Sequence, residues 1–335
     1  MSDIDPTTSR VLTGDRPTGP LHLGHYFGTL QNRVRLQDEG VELFVVVADY
    51  QTITDRDSPA GLAEDVDALV ADYLAVGIDP DRATIFAHSQ VGGLNQLLVP
   101  FLSLVSVTEV RRNPTVKEEM RASGGTAMSA LMFTYPVHQA ADILFCRANL
   151  VPVGRDQLPH VEIARLIARR FNARYAAAHA PFFPEPEAVL GSAPLLLGVD
   201  GGKMSKSRRN AIAIGASEDE TARLIRSART DAERVITYEP DRRPEVANLV
   251  LLAALCLDEP PHAVAESVGG GGSAALKRLV TDAVNERFRA VRARRCALLA
   301  DRGHLRSVLR AGSERAQAIA DDTLGHVHTL MHTAY

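Results

Sequence analysis

Apolar and polar positions follow two regimes along the chain. Over residues 10–175, short unbroken apolar runs alternate with stretches whose apolar residues fall three and four apart. Arg10–Thr13 predicts a strand closed by Gly14. The Pro/Gly-rich turn Arg16-Pro17-Thr18-Gly19-Pro20 then leads into a helix with Phe27, Leu30 and Val34 on one face. Leu43–Ala48 is wholly apolar and ends at Asp49, the pattern of a strand buried on both faces. Ser58 and Pro59 predict a helix start and Gly77 its stop, with Val66, Leu69, Val70, Tyr73 and Leu74 at helical spacing between them. Thr84–Ala87 predicts the next strand. Leu94, Leu97, Leu98, Phe101 and Val105 predict one helix kinked at Pro100. Leu150–Val153 predicts a strand running into Gly154, and a helix carries Val161, Ala164, Ile167 and Phe171. Such alternation predicts an α/β fold with a doubly wound, mostly parallel sheet. Ligands then sit at the carboxyl ends of strands, where the polar clusters after Thr13, Asp49 and Val153 fall.

Beyond residue 208 strand signals nearly vanish. Ser217-x-x-Glu220 is a capping box, and Val246–Leu257 and Ala274–Leu299 are helical, separated by Gly269–Gly272. The expected organisation is an α/β domain over 1–207 with inserted helices at 90–130, an all-helical domain over 208–300, and a helical segment over 301–335 that packs back on the first. No internal repeat is present.

Composition narrows the class. With 45% apolar and 23% charged residues, the chain is neither disordered, collagenous nor a coiled coil. No apolar run is long enough to span a bilayer, and the acidic start Met-Ser-Asp-Ile-Asp-Pro lacks a signal-peptide core, so a cytoplasmic protein without a membrane partner is expected. Cys146, Cys256 and Cys296 are far apart and form no CxxC pair, so neither a disulfide framework nor structural zinc is expected. The net charge of −4 requires any nucleic-acid contact to use a local patch, and no DNA partner is expected. Only four of the 37 basic residues are lysine: Lys117, Lys203, Lys206 and Lys277. Two of them lie three apart, where a compact ammonium is of use.

Two segments carry candidate chemistry. In Thr13-Gly14-Asp15-Arg16-Pro17-Thr18-Gly19-Pro20-Leu21-His22-Leu23-Gly24-His25, a strand enters a turn and a helix opens beside two histidines, an arrangement suited to phosphate. Without further context it is equally a helix cap that happens to hold two histidines. In Gly201-Gly202-Lys203-Met204-Ser205-Lys206-Ser207, two lysines and two hydroxyls can converge on a polyphosphate whose charge grows during reaction.

Together, His-Leu-Gly-His and Lys-Met-Ser-Lys-Ser resemble the paired signatures of class I aminoacyl-tRNA synthetases. Thr134–Ile143 and Val151–His160 are similar to the amino-acid pocket and ATP-facing turn of the bacterial tryptophanyl-tRNA synthetase family, and Asn210-Ala211-Ile212 fits it as well. The likeness covers about residues 10–215 and implies a Rossmann-like catalytic domain. It implies an ATP site made of Arg16, Pro17, Thr18, Gly24, His25, Gly154, Arg155, Asp156, Leu195, Lys203, Met204, Ser205, Lys206 and Ser207. His25, Lys117, Lys203 and Lys206 are then the catalytic group, Lys117 reaching the ATP phosphates. Leu12, Tyr135, Gln139, Asp142, Val151, Val153 and Gln157 are implied to line the tryptophan pocket, with Asp142 accepting the indole N–H. Elementary chemistry supports that role. Indole has one donor and no acceptor, and a buried acceptor rejects rings that cannot donate to it.

The implied activity is tryptophan–tRNA ligation: L-tryptophan and ATP give tryptophanyl-adenylate and pyrophosphate, and tryptophan then passes to the 3′-terminal ribose of tRNA(Trp). Mg²⁺ would travel with ATP, and no protein metal site or iron–sulfur cluster is expected. Arg287, Arg292 and Arg295 on the long helix, with few acids nearby in sequence, and Arg111 and Arg112 are the candidate tRNA contacts; a homodimer is implied. Departures from the family pattern at Arg16, Gln51 and Gln139 suggest a divergent, auxiliary-like form. A tyrosine–tRNA ligase, or a paralogue that charges a different acceptor, remains the alternative.

Overall fold

The computed structural model describes residues 4–53, 60–114, 116–117, 120, 128–154, 157–190, 195–206 and 208–335. Its centre is a five-stranded sheet of β1 (Arg10–Asp15), β2 (Glu42–Val47), β3 (Ala83–Ala87), β4 (Leu150–Val153) and β5 (Glu187–Leu190). The spatial order is β3-β2-β1-β4-β5, and every pairing among them is parallel. The chain thus builds outward from β1 in one direction and then the other, which puts the reversal of strand order between β1 and β4. β1 and β4 pair only at Val11 and Leu150, near their amino-terminal ends. A crevice at their carboxyl ends is what this topology provides.

Period-two alternation divides the core between the two faces. Val11, Leu43, Val45 and Val47 join one buried cluster with the helix Leu62–Val76, the helices between residues 218 and 300, and the first turns of the helix Arg302–Leu330, whose later turns (Ala316, Ala320, Leu324, Val327) join the other cluster. Leu12, Phe44, Val46 and Phe86 join the other, with the helices Ala130–Leu144 and Leu158–Tyr175. The expected stop at Gly77 is met, with φ at 111°; the start signal at Ser58 and Pro59 lies outside the described residues.

Three expectations change. The helix expected around Pro100 is two short helices, Gly92–Gln96 and Leu98–Leu102, broken at Leu97, with Pro100 in the first turns of the second. Pro lacks an N–H, so it is tolerated there and would be costly deeper in one long helix. Second, β5 is an additional short strand. Third, a helix over Pro261–Val268 precedes the glycine run. The remaining helices after the sheet are Glu218–Ser227, Pro244–Leu257 and Gly272–Ala300, the first capped by Ser217 Oγ accepting from Glu220 N at 3.1 Å. The helix Arg302–Leu330 lies against β3, where the hydroxyl of Ser313 accepts from Ala87 N at 3.3 Å. Among the described residues no helix is long and apolar enough to cross a membrane.

Candidate active site

The crevice has a volume of about 1140 Å³ and opens at the carboxyl ends of β1, β2 and β4. Leu12 and Thr13 from β1, Val46 from β2 and Val151 and Val153 from β4 form its base. One wall is a single face of the helix Ala130–Leu144: Met132, Tyr135, Gln139 and Asp142, spaced three, four and three apart. Arg16, Thr18 and His25 and the segment Lys203–Lys206 form the opposite, cationic side.

A short antiparallel pairing brings the two signature segments together. Leu23 N donates to Ile212 O and Ile214 N to Leu21 O, both at 2.9 Å. The lysine loop is held from within by Asn210, which is buried. Its Nδ2 donates to Asp200 Oδ1 at 2.7 Å and to Lys203 O at 3.0 Å, and its Oδ1 accepts from Ser205 N at 2.9 Å. Lys206 Nζ donates to Gly19 O at 2.7 Å, so the loop meets the turn after β1 directly. Burial lowers the pKa of Lys206, opposed by the carboxylates of Asp15 and Asp72.

The histidines of the first segment are neutral donors rather than cations. Burial first, then the adjacent His25 and the Lys206 ammonium, holds His22 at about 3. Burial holds His25 at about 4 in spite of the nearby Asp15 carboxylate. His25 Nδ1 accepts from His22 N at 3.2 Å, so in the neutral ring Nε2 carries the proton. That leaves one N–H at His25 for a phosphate oxygen. Gly24 itself does not line the crevice. A Cβ there would stand 3.0 Å from His22 Nδ1, so close packing of the imidazole is a reason for glycine at this position.

Asp15 and Arg33 are site residues that the sequence reading missed. Arg33 Nη1 lies 2.6 Å from Asp15 Oδ2, and Tyr73 Oη donates to the same oxygen at 2.8 Å. Burial pushes Asp15 up, but the Arg33 guanidinium and His25 override it and hold the carboxyl at about 2. The signal was available: Arg33 lies three residues after Leu30, and a charged side chain on a core-facing helix stripe needs a buried partner.

Asp142 is buried at 2% exposure, on the crevice wall, as its apolar neighbours suggested. Oδ1 stands 2.7 Å from Nε2 of His88, a residue not anticipated from the sequence. Tyr135 Oη contacts His160 Nε2 at 3.2 Å, which anchors the tip of a crevice-lining side chain.

Not every expected residue converges. Leu195 is 68% exposed, and neither it nor Pro17 nor Lys117 lines the crevice. Lys117 is exposed. Arg155, Asp156 and Ser207 lie outside the described residues. Arg111 and Arg112 are exposed at the end of the helix Val107–Arg112. The arginines of the long helix have acidic partners that linear sequence hides: Arg287 with Asp258 and Arg292 with Glu218, each at 3.1 Å, and Arg295 with Asp72 at 2.5 Å. The expectation that acids near this cluster are few is therefore corrected. They come from other helices.

Comparison with known proteins agrees with this geometry. Residues 6–289 match the family described as tRNA synthetases class I (W and Y). A tryptophan–tRNA ligase of Streptococcus agalactiae is 39% identical over 337 residues, covering 97% of this chain and 98% of that protein. The crystal structure of tryptophanyl-tRNA synthetase from Campylobacter jejuni complexed with ADP and tryptophan superposes with a TM-score of 0.83 at 31% identity, over 96% of this chain and 99% of that one. A tyrosyl-tRNA synthetase from Archaeoglobus fulgidus, complexed with L-tyrosine, is 23% identical with a TM-score of 0.66 over 86% of this chain and 90% of that one, and shares the fold. With a parallel sheet whose switch-point crevice is lined on one side by both His-Leu-Gly-His and Lys-Met-Ser-Lys, the chain belongs to the class I tRNA synthetases of the tryptophan and tyrosine family.

Proposed function

We propose that the crevice joins L-tryptophan to ATP and passes the tryptophanyl group to the 3′-terminal ribose of its tRNA. The full-length likeness to tryptophan–tRNA ligases supports this activity. The observation that carries the choice of substrate is a buried carboxylate, Asp142, on the wall of a pocket whose base is apolar. Such a group suits a flat apolar ring with a single N–H donor.

The mechanism needs little beyond alignment and charge. The substrate carboxylate is already a nucleophile. It attacks the α-phosphorus, and the bond to the bridging oxygen breaks to release pyrophosphate. Lys203 and Lys206, with the neutral His25 N–H and the Thr18 hydroxyl, are placed to stabilise the charge that grows on the leaving group. Gln139, between Tyr135 and Asp142 on the helix face, gives the amino-acid side a second polar contact. The crevice's phosphate side presents cationic and N–H groups, and Asp15 is committed to Arg33. That donor set fits an anion, so Mg²⁺ would be held by the nucleotide's own phosphates and would neutralise them there. The helical domain over 208–300 would face the tRNA anticodon, and a homodimer in the cytoplasm is the form in which we expect the enzyme to act.

The test is amino-acid-dependent exchange of pyrophosphate into ATP with tryptophan, tyrosine and phenylalanine, followed by charging of tRNA. Exchange with tryptophan alone is expected. Exchange with tyrosine would overturn the pocket assignment, and adenylate formation without charging would overturn tRNA as acceptor.

A further inference from the structure

The Asp142 carboxylate is backed by a buried polar group that the mechanism above does not use. His88, fully buried just beyond the end of β3, brings Nε2 to 2.7 Å from Asp142 Oδ1, though the N–H is not aimed along that line. His138 lies one helical turn before Asp142, its ring centroid 4.8 Å from that of His88. Asn95 ties the two histidines together. Its Nδ2 donates to the carbonyls of His88 at 2.7 Å and Val91 at 2.9 Å. Its Oδ1 is therefore the acceptor and takes the Nε2 hydrogen of His138 at 2.8 Å.

Two histidines and an aspartate also have the composition of a metal site. The separation argues against one. Two atoms each about 2.0–2.1 Å from a tetrahedral zinc would sit about 3.3 Å apart. At 2.7 Å, Nε2 and Oδ1 touch each other directly, closer than two ligands of one tetrahedral ion would stand.

We propose that His88, braced by His138 and Asn95, is a positioning residue that holds the Asp142 carboxylate toward the ring N–H of the amino-acid substrate. This rests on Asp142 being the acceptor for that N–H. A buried carboxylate that can turn away from its ligand loses both affinity and discrimination, and the imidazole behind Oδ1 restrains that turn. Asn95 and His88 reach no part of the crevice lining, so they act through Asp142 alone.

The experiment compares His88→Leu, which keeps bulk and removes the N–H, with His88→Gln, whose amide nitrogen can take the place of Nε2. Pyrophosphate exchange is measured with tryptophan and with its analogue in which sulfur replaces the ring N–H. His88→Leu should raise the KM for tryptophan about tenfold and shrink the preference over the sulfur analogue by a similar factor. Its kcat and its KM for ATP should stay within about twofold of wild type, and His88→Gln should restore most of the preference. If His88→Leu does not fold, Asn95→Ala carries the same test from outside the pocket. An unchanged preference in a folded variant overturns the proposal, as does stoichiometric zinc in the purified protein that His138→Ala removes. Asp142→Leu, which leaves no acceptor at that position, separates the two levels. If it leaves the preference intact, the acceptor reading itself fails; if it abolishes the preference and His88→Leu does not, the positioning role alone fails.

Discussion

Nζ of Lys206 reaches the carbonyl oxygen of Gly19 across 2.7 Å, with Thr18 Oγ1 at 3.5 Å, and so links two segments 187 positions apart in sequence. The lysine loop and the turn after β1 thus share one cation, set where the phosphates of a nucleotide would lie against His25. A charge in this position matters most when pyrophosphate departs. Lys206→Ala is expected to slow adenylate formation by about 10²–10³-fold and to leave tryptophan affinity within a few-fold of wild type. Single-turnover kinetics with separate measurement of tryptophan binding checks this. A loss confined to tryptophan affinity would place Lys206 outside the phosphate site.

The same region makes the fold acid-sensitive. His22 and His25 are held neutral, at about 3 and about 4, by burial above all, whereas both titrate near 6.5 once unfolded. Below pH 6.5 the unfolded chain therefore binds more protons than the folded one. Their contribution to stability is complete above pH 6.5 and falls as pH drops toward 4, by about 1.4 kcal/mol per pH unit for each proton taken up. Asp15 acts in a lower window. Held at about 2 against an ordinary 3.8, it keeps its contribution above 3.8 and loses it as pH falls toward 2. Urea midpoints should decline from pH 7.5 to 6 to 5, and His22→Gln should flatten that slope. Equal midpoints at pH 7.5 and 5 would contradict the buried-neutral state of both rings.

What the sequence disclosed and what it hid divide along physical lines. Leu43–Ala48 and the helix through Leu69 and Tyr73 were legible because continuous or periodic apolar sequence has few folded solutions. The two segments that meet at the crevice's cationic side could be picked out because glycine, histidine and lysine stand there at tight spacing. The strand Glu187–Leu190 was not, since a four-residue strand bearing Glu187 and half-exposed positions has no usable period. His88 behind Asp142, Asp15 with Arg33, and Asp72 with Arg295 were hidden for another reason. Each is a polar pair joined across the fold, and neither partner's sequence neighbours report the other. The break at Leu97 was obscured by Pro100, which marks the second short helix's opening rather than a bend.

Close backbone approach gives a third test. Gly312, in the last helix, packs so tightly on β3 that a Cβ would lie 1.9 Å from the carbonyl oxygen of Ile85. That atom is backbone of the edge strand β3, held by its parallel pairing with β2, and cannot yield as a side chain would. Gly312→Ala should cost about 1–3 kcal/mol or more and lower the thermal midpoint. Gly325→Ala, on the same helix with open space at its Cβ position, should leave the midpoint equal or higher. Equal losses in both would mean that the contact with Ile85 is not what constrains the helix.

Arg295 carries the last prediction, because its position sets two roles against each other. Its Nε lies 2.5 Å from Oδ1 of Asp72, a fully buried carboxylate whose Oδ2 accepts from Leu21 N at 3.0 Å, immediately before His22. Burial raises the pKa of Asp72, and Arg295 is the first group opposing that rise. The pair therefore joins the long helix Gly272–Ala300 to the segment that carries His22 and His25. Removing the cation leaves a buried acid with one remaining hydrogen bond. Arg295→Met should cost about 3–5 kcal/mol, and adding Asp72→Asn should recover much of it. A phosphate-binding arginine would behave differently: Arg295→Met would keep its thermal midpoint and its pyrophosphate exchange, and only the KM for tRNA would rise. With its side chain 17% exposed and its Nε engaged at Asp72, the tie between helix and turn is the outcome expected, read as a fall in midpoint that the second substitution reverses.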